Sequence, residues 1–129
     1  MRIFFDVDLT LLSENGELRP GAREVLQRLA ANGHRLYLWS GNGIRWSFVD
    51  QYGLRDLVAG CLYKPLYDAR SALKRQGVEP PDFCVDDYPE ILEEFRGILV
   101  TPYGQEDPAD REMERVYQAV WRASLDLEP

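Results

Sequence analysis

Residues 3–12 read Ile3-Phe4-Phe5-Asp6-Val7-Asp8-Leu9-Thr10-Leu11-Leu12, an apolar run interrupted by two alternating acids. The run predicts a buried β-strand over residues 2–6 that delivers Asp6 and Asp8 to its carboxyl end. Ligands of open α/β sheets bind at that end of the strands. Two neighbouring carboxylates repel each other and lose hydration when they are buried. The segment therefore predicts a site that also contains positive charge.

Three further strand-like segments end in residues suited to the same site. The second ends in Ser40 and is followed by Gly41 and Asn42, where a hydroxyl and backbone N–H groups can hold an anion. The third is followed by Lys64. The fourth ends in an adjacent acidic pair, Asp86-Asp87. Since all four ends follow apolar strands, we expect them to meet at one edge of a sheet.

Alternating strand and helix patterns predict an α/β fold, a doubly wound parallel five-stranded sheet with helices on both faces. The signals place strands at 2–6, 35–40, 60–63, 82–86 and 98–100, with a short flap at 11–18. Helices are predicted at 20–31, 44–52 and 66–76, after Pro89, and from 108 onward. The last helix has a predicted buried face of Met113, Val116, Tyr117, Val120, Trp121 and Leu125.

The chain has 129 residues and a net charge of −7. This length predicts a single domain over 1–129. The acidic balance and the lack of a basic stripe argue against a nucleic-acid partner. Cys61 and Cys84 lie in apolar strands and are interpreted as core residues. No apolar run approaches a membrane span, and we expect a cytoplasmic protein with no membrane partner.

The ordered set Asp-x-Asp-x-Thr, serine, lysine and Asp-Asp resembles the haloacid dehalogenase (HAD) superfamily of phosphohydrolases. The resemblance covers about residues 2–100 and lies in the order of all four parts. Leu9 stands where glycine is frequent, and Asp86-Asp87 replaces a glycine-aspartate form. Both variants occur in the family, notably in branches resembling the magnesium-dependent and C-terminal-domain phosphatases.

The resemblance implies an Mg²⁺-dependent phosphomonoester hydrolase of the Rossmann-like HAD fold. Asp6 would be the nucleophile that forms an aspartyl-phosphate, and Asp8 the general acid and then base. The metal ligands would be Asp6, the main-chain carbonyl of Asp8, and Asp86 with Asp87, of which Asp87 is expected nearer the metal. Phosphate oxygens would be bound by Ser40, Gly41, Asn42 and Lys64, and Lys64 would also keep Asp6 ionised.

Specificity in this family usually resides in inserted cap domains. Here 29 residues separate Thr10 from Ser40 and 23 separate Ser40 from Lys64, which the predicted elements already fill. The resemblance therefore implies a capless enzyme with no cap domain. Its phosphorylated substrate is either a macromolecule or a small molecule covered by a second copy in a homo-oligomer.

Several other polar and aromatic residues have competing interpretations. Arg45 pairing a substrate anion and Trp46 stacking at the mouth compete with a plain helix surface. The same alternatives hold for Tyr88 and Tyr103, beyond the fourth and fifth strands. His34, the only histidine, has no evident partner and is not assigned a catalytic role.

Two other functional classes fit parts of the pattern. A non-catalytic phospho-ligand binding module derived from a HAD phosphatase would typically have lost Asp6 or Asp8, and both are present. A response-regulator receiver domain uses similar residues. It would place its acid pair on the first strand and its lysine near the last, which is the reverse of the order here.

Overall fold

A parallel five-stranded sheet in the order β3-β2-β1-β4-β5 organises the protein. The computed structural model describes residues 1–127. The strands are β1 (Arg2–Asp6), β2 (Arg35–Ser40), β3 (Gly60–Tyr63), β4 (Phe83–Asp86) and β5 (Gly97–Leu99). The helices are α1 (Ala22–Ala31), α2 (Trp46–Gln51), α3 (Ala69–Arg75), α4 (Ile91–Glu94) and α5 (Glu112–Leu125). The predicted doubly wound α/β class is confirmed.

The central strand β1 is apolar on both faces because helices cover both sides of the sheet. Ile3 and Phe5 point into a large core shared with α1, α2 and α5. Phe4 points the other way, into a smaller core that contains Trp39 and residues of α3 and α4. The ring of Phe4 meets the indole of Trp39 edge to face at 4.9 Å. Packing on both faces holds the carboxyl end of β1 in place, and this fixes the position of Asp6.

The predicted element boundaries agree with the structure to within two residues, apart from two helix starts. The third helix begins at Ala69 rather than at 66, because Asp68 has a left-handed φ of 47°. The last helix begins at Glu112, after a loop. Its predicted face is wrong at Trp121 and Leu125, which are exposed, because Ala123 instead completes the face that packs on the core. Cys61 and Cys84 are buried and unpaired, as expected.

The flap predicted from the Asn15-Gly16 signal is present. Leu12 and Leu18 form an isolated antiparallel bridge. Gly16 adopts a φ of 82°, a conformation that glycine adopts without steric cost. The hydroxyl of Tyr52 donates to the Gly16 carbonyl and so attaches the flap to the end of α2. No helix within residues 1–127 is long and apolar enough to cross a membrane.

Arg19 fixes the loop that follows β1 to the opposite end of the chain. Its side chain is 1% exposed and forms two hydrogen bonds of 2.9 Å to the Asp110 carboxylate. It also donates to the carbonyls of Thr10 at 3.2 Å and Thr101 at 2.8 Å. Such a pair is costly to break because the remaining charge loses its partner. Arg19 therefore holds Thr10, and the loop around it, against the segment that follows β5.

We predict that Arg19→Met lowers the free energy of unfolding by about 3 kcal/mol, the range expected for a broken buried pair. The matched control is Arg55→Met, which removes an exposed pair to Asp50 and should cost much less, because solvent screens exposed pairs. Urea unfolding of both variants measures the difference. Equal losses in the two variants would show that burial of Arg19 adds nothing to its pairing.

Candidate active site

The chain reverses its direction across the sheet between β1 and β4. From β1 it proceeds outward through β2 to β3, and it then returns to form β4 on the other side of β1. The carboxyl ends of strands at such a switch point border a crevice in which α/β proteins bind ligands. Asp6 and Asp86 are the last residues of β1 and β4. The topology thus brings together two acids that are 80 positions apart.

Three carboxylates meet in this crevice. One oxygen each from Asp6, Asp86 and Asp87 lies within 4.8 Å of the others. The Thr10 hydroxyl lies 3.1 Å from Asp6 Oδ2 and 3.4 Å from Asp87 Oδ1. The backbone N–H of Tyr88 donates to Asp86 Oδ1 at 3.0 Å, which orients that carboxylate.

Lys64 supplies the positive charge that the sequence requires. Its ammonium lies 2.8 Å from Asp6 Oδ1 and 3.2 Å from Asp86 Oδ2. The lysine reaches this position because β3 pairs with β2, and the Lys64 N–H bonds to the Ser40 carbonyl at 2.9 Å. Three carboxylates and one ammonium leave two negative charges unbalanced when every carboxyl is ionised.

Burial and the close approach of the carboxylates shift the pKa values of Asp6, Asp86 and Lys64. Burial and the Asp86 carboxylate raise the pKa of Asp6 to about 8, although Lys64 opposes the shift. Burial also raises the pKa of Asp86. Burial alone would lower the pKa of Lys64, but the two carboxylates outweigh it and raise that pKa. Without a cation, Lys64 lowers the pKa of Asp6 but does not offset burial and a second carboxylate, and the expectation that Lys64 helps to keep Asp6 ionised in a metal-bound site stays a prediction.

Asp8 occupies a separate position beside the loop that follows β2. Its Oδ2 accepts hydrogen bonds from Arg45 at 2.6 Å, Asn42 at 2.8 Å and Ser40 at 3.3 Å. Burial tends to raise the pKa of Asp8, but these donors lower it overall. The Asp8 carboxylate lies outside the acidic cluster. The expected metal ligand at this residue is its main-chain carbonyl, which stays a prediction.

Leu9 has a left-handed backbone conformation, with a φ of 64°. Its N–H donates to the Leu12 carbonyl at 2.8 Å, and its carbonyl accepts from the Tyr103 N–H at 2.7 Å. A non-glycine residue is strained at such a φ. The strain explains why glycine suits this position, and the two hydrogen bonds show how leucine is held there.

A cavity of about 450 Å³ opens above the carboxylates. Seven of the eight predicted site residues line it, namely Asp6, Asp8, Ser40, Gly41, Asn42, Lys64 and Asp87. The eighth, Asp86, lies beneath the cavity and is completely buried. The four strand ends predicted to form one site are therefore adjacent in space, and the roles of their residues stay predictions.

The remaining candidates divide between the cavity and the scaffold. Tyr88 lines the cavity. Trp46 does not line it and instead stacks with Arg55 at 4.4 Å. Tyr103 is buried below Arg19, and its hydroxyl accepts from the Asp107 N–H. His34 lies 3.1 Å from the amino group of Met1.

Sequence reasoning missed two contributions to the site. One is the Arg45 hydrogen bond to Asp8, since the two interpretations of Arg45 from sequence are a partner for a substrate anion and a plain helix surface. The other is Arg19, whose partner Asp110 lies 91 positions away. No local pattern marks such a pair, although an arginine next to the predicted flap, before Pro20, is a candidate for burial.

The acidic cluster fits Mg²⁺ by the chemistry of its donors. Carboxylate oxygens are the hard ligands that Mg²⁺ binds, usually one or two from protein with several waters retained. Asp6, Asp86 and Asp87 provide such oxygens next to an open cavity. A divalent cation would also balance the two negative charges that Lys64 leaves.

Comparisons with known proteins agree with this fold. Residues 3–61 match the model of the haloacid dehalogenase-like hydrolase family. One solved crystal structure is 16% identical, with a TM-score of 0.50, and the alignment covers 98% of this chain and 82% of the other. That likeness shows the fold alone. No curated protein sequence matches the chain.

The matched region contains β1 with Asp6 and Asp8 and β2 with Ser40, and it ends before Lys64 and the acid pair. The chain is therefore similar to haloacid dehalogenase-like hydrolases over somewhat less than half of its length. This similarity supports a hydrolase activity in general terms.

We predict that, without a divalent cation, wild-type stability falls relative to Asp6→Asn as the pH rises from 3.8 to about 8. In that window folded Asp6 retains a proton that the unfolded chain has lost, so the slope of stability against pH is negative. Urea unfolding in a chelating buffer at several pH values measures the difference. A difference between the two proteins that stays constant across the window would contradict the crowding of Asp6.

Proposed function

We propose that the protein is a magnesium-dependent phosphomonoester hydrolase that acts through an aspartyl-phosphate on Asp6. One observation carries the proposal. The Asp6 carboxylate borders an open cavity at the switch point of the sheet, within 2.8 Å of a buried lysine and among two further carboxylates. The hydrolase family match supports the same conclusion.

In the proposed reaction, an Asp6 oxygen attacks phosphorus as the bond from phosphorus to the ester oxygen breaks. Asp8 gives a proton to the departing oxygen, which leaves as an alcohol. Asp8 then accepts a proton from the water that attacks the aspartyl-phosphate. Inorganic phosphate and free Asp6 result, and Asp8 is again protonated. The two acids have different surroundings, since Asp6 contacts Lys64 and Asp8 contacts Arg45. Mg²⁺ beside Asp6 would favour the ionised carboxylate that the attack requires. Asp8 must carry a proton when the substrate is bound, although Arg45 lowers its pKa in the free protein.

Asp6, Asp86 and Asp87 would hold Mg²⁺, which when bound neutralises the charge of the carboxylates and of the transferring phosphoryl group. Thr10 supports this arrangement by hydrogen bonding with Asp6 and Asp87. Asp87 borders the cavity whereas Asp86 is completely buried, which favours Asp87 as the residue nearer the ion.

Lys64 and the segment Ser40–Asn42 would bind the non-bridging phosphate oxygens. All of these residues border the cavity, and the lysine lies beside the proposed nucleophile. Preorganised donors of this kind stabilise the charge of the transferring group without reorganisation during the reaction.

The open cavity supports a capless enzyme. The chain between β1 and β2 forms the flap and α1, and the chain between β2 and β3 forms α2 and its loops. Neither connection builds a separate domain over the crevice. We propose that the leaving group of the substrate extends from this crevice to the surface.

Hydrolysis of p-nitrophenyl phosphate should require Mg²⁺ and should fall by about 10⁴-fold in Asp6→Asn, because the variant lacks the nucleophile. Initial rates with Mg²⁺, after chelation and after its restoration test the metal. The matched control is Asp56→Asn at an exposed position, which should retain wild-type rates. Wild-type turnover by Asp6→Asn would refute the nucleophile assignment. Ligand binding without turnover of any phosphomonoester would favour a binding module.

Lys64→Ala should lower kcat/KM by about 100-fold or more, since it removes a donor to the transferring phosphoryl group. Lys74→Ala, at an exposed position on α3, is the matched control and should leave kcat/KM unchanged. Thermal unfolding of both variants separates a loss of folding from a loss of catalysis. A folded Lys64→Ala variant with normal kcat/KM would show that the lysine has only a structural role.

A further inference from the structure

Apolar residues line part of the cavity, and two of them are exposed to solvent. Its apolar rim consists of Leu9, Pro65, Leu66, Tyr88 and Ile91, all of which line the cavity. Leu66 is 75% exposed and Tyr88 is 60% exposed. Exposed apolar surface next to a site indicates contact with an apolar ligand group. The rim lies where the leaving group of a bound phosphomonoester would emerge.

Tyr88 is a rim residue that contacts the proposed phosphate site. Its ring lies over the Lys64 ammonium, 5.5 Å from the ring centroid. Its backbone is held by the hydrogen bond from its N–H to Asp86 Oδ1. The aromatic ring is therefore placed beside the group that would bind phosphate, and much of its surface is open to solvent.

The charged residues that line the cavity also limit how much negative charge the leaving group can carry. Asp8 and Glu90 line the cavity, and Lys64 is the one cationic side chain among its described lining residues. Lys64 is already paired with two carboxylates, and Arg45 is paired with Asp8. A second phosphate on the substrate would meet acidic side chains without a matching cation, which costs binding.

We propose that the substrate is a phosphomonoester with a single phosphate whose leaving group carries an aromatic ring, which stacks on Tyr88. The inference rests on the proposed function and adds its substrate class. A free aromatic metabolite and a phosphotyrosine side chain share this chemistry. Tyr88 is a specificity residue in this scheme, and the other apolar residues of the rim would contact the same leaving group.

Benzyl phosphate and cyclohexylmethyl phosphate test the aromatic preference, because both release primary alkoxides of similar size. Wild-type kcat/KM should be about tenfold higher for benzyl phosphate, the factor expected for one aromatic pair. Fructose 1,6-bisphosphate should be hydrolysed more slowly than either. Equal kcat/KM for the two matched esters, or faster hydrolysis of the bisphosphate, would overturn the proposal.

Tyr88→Ala should lower kcat/KM for benzyl phosphate about tenfold more than kcat/KM for cyclohexylmethyl phosphate, because stacking is lost only with the aromatic ester. Tyr88→Phe should retain the preference because the ring remains. The matched control is Trp121→Ala, an exposed aromatic on α5, which should keep the wild-type ratio. An equal loss of kcat/KM on both substrates in Tyr88→Ala would show that Tyr88 does not distinguish an aromatic from an aliphatic leaving group.

A phosphotyrosine peptide compared with free phenyl phosphate distinguishes the two sources of the aromatic group. A lower KM for the peptide identifies a protein side chain, and a lower KM for the free ester identifies a small molecule. Either result supports the shared chemistry if Tyr88→Ala raises that KM. The failures are also distinct. Turnover of no phosphomonoester refutes the proposed function, whereas turnover without aromatic preference refutes only this inference.

Discussion

The buried ammonium of Lys64 is the interaction on which the site depends. It joins Asp6 at the end of β1 to Asp86 at the end of β4, and both carboxylates are almost completely removed from solvent. Two such charges on adjacent strands would destabilise the sheet without a cation between them. The lysine partly offsets the repulsion and leaves an excess of negative charge at the surface of the cavity. The pairing with Lys64 therefore allows the acids to be buried, and the negative charge that remains suits them to bind a divalent cation.

The two acids of the first motif acquire different properties from their neighbours. Asp6 contacts Lys64 and lies among carboxylates that raise its pKa. Asp8, two positions later, contacts Arg45 and Asn42, which lower its pKa. The surroundings divide the two carboxylates, although without a cation the two pKa shifts are the reverse of those that the proposed roles need, since the nucleophile must be ionised and the general acid protonated. Here the division follows from topology, because β4 approaches one side of the β1 end and the loop after β2 approaches the other.

The sequence was sufficient to predict the sheet and the meeting of four strand ends, because apolar runs and the acids or lysine after them are local signals. The positions of Asp6, Lys64 and Asp86 follow from those signals and from parallel topology. The exposed Trp121 was not predictable, since Ala123 competes for the same helical face. Arg19 was missed because its partner is distant along the chain. The raised pKa of Asp6 was not predictable from sequence either. It depends on the distances from Asp6 to Lys64 and Asp86, and the spacing of these residues along the chain does not give those distances.

The pairing of β1 with β4, in register from Ile3 with Phe83, has a consequence for folding. Contacts between such distant residues form only after most of the chain has been ordered, because closing a long loop costs entropy first. Closure of the sheet also brings Asp86 and Asp87 against Asp6. Electrostatic repulsion therefore arises late, at the step that completes the native topology, and a bound cation would lower its cost. A cation held by these three carboxylates would therefore also stabilise the folded state, because the unfolded chain does not bring the carboxylates together.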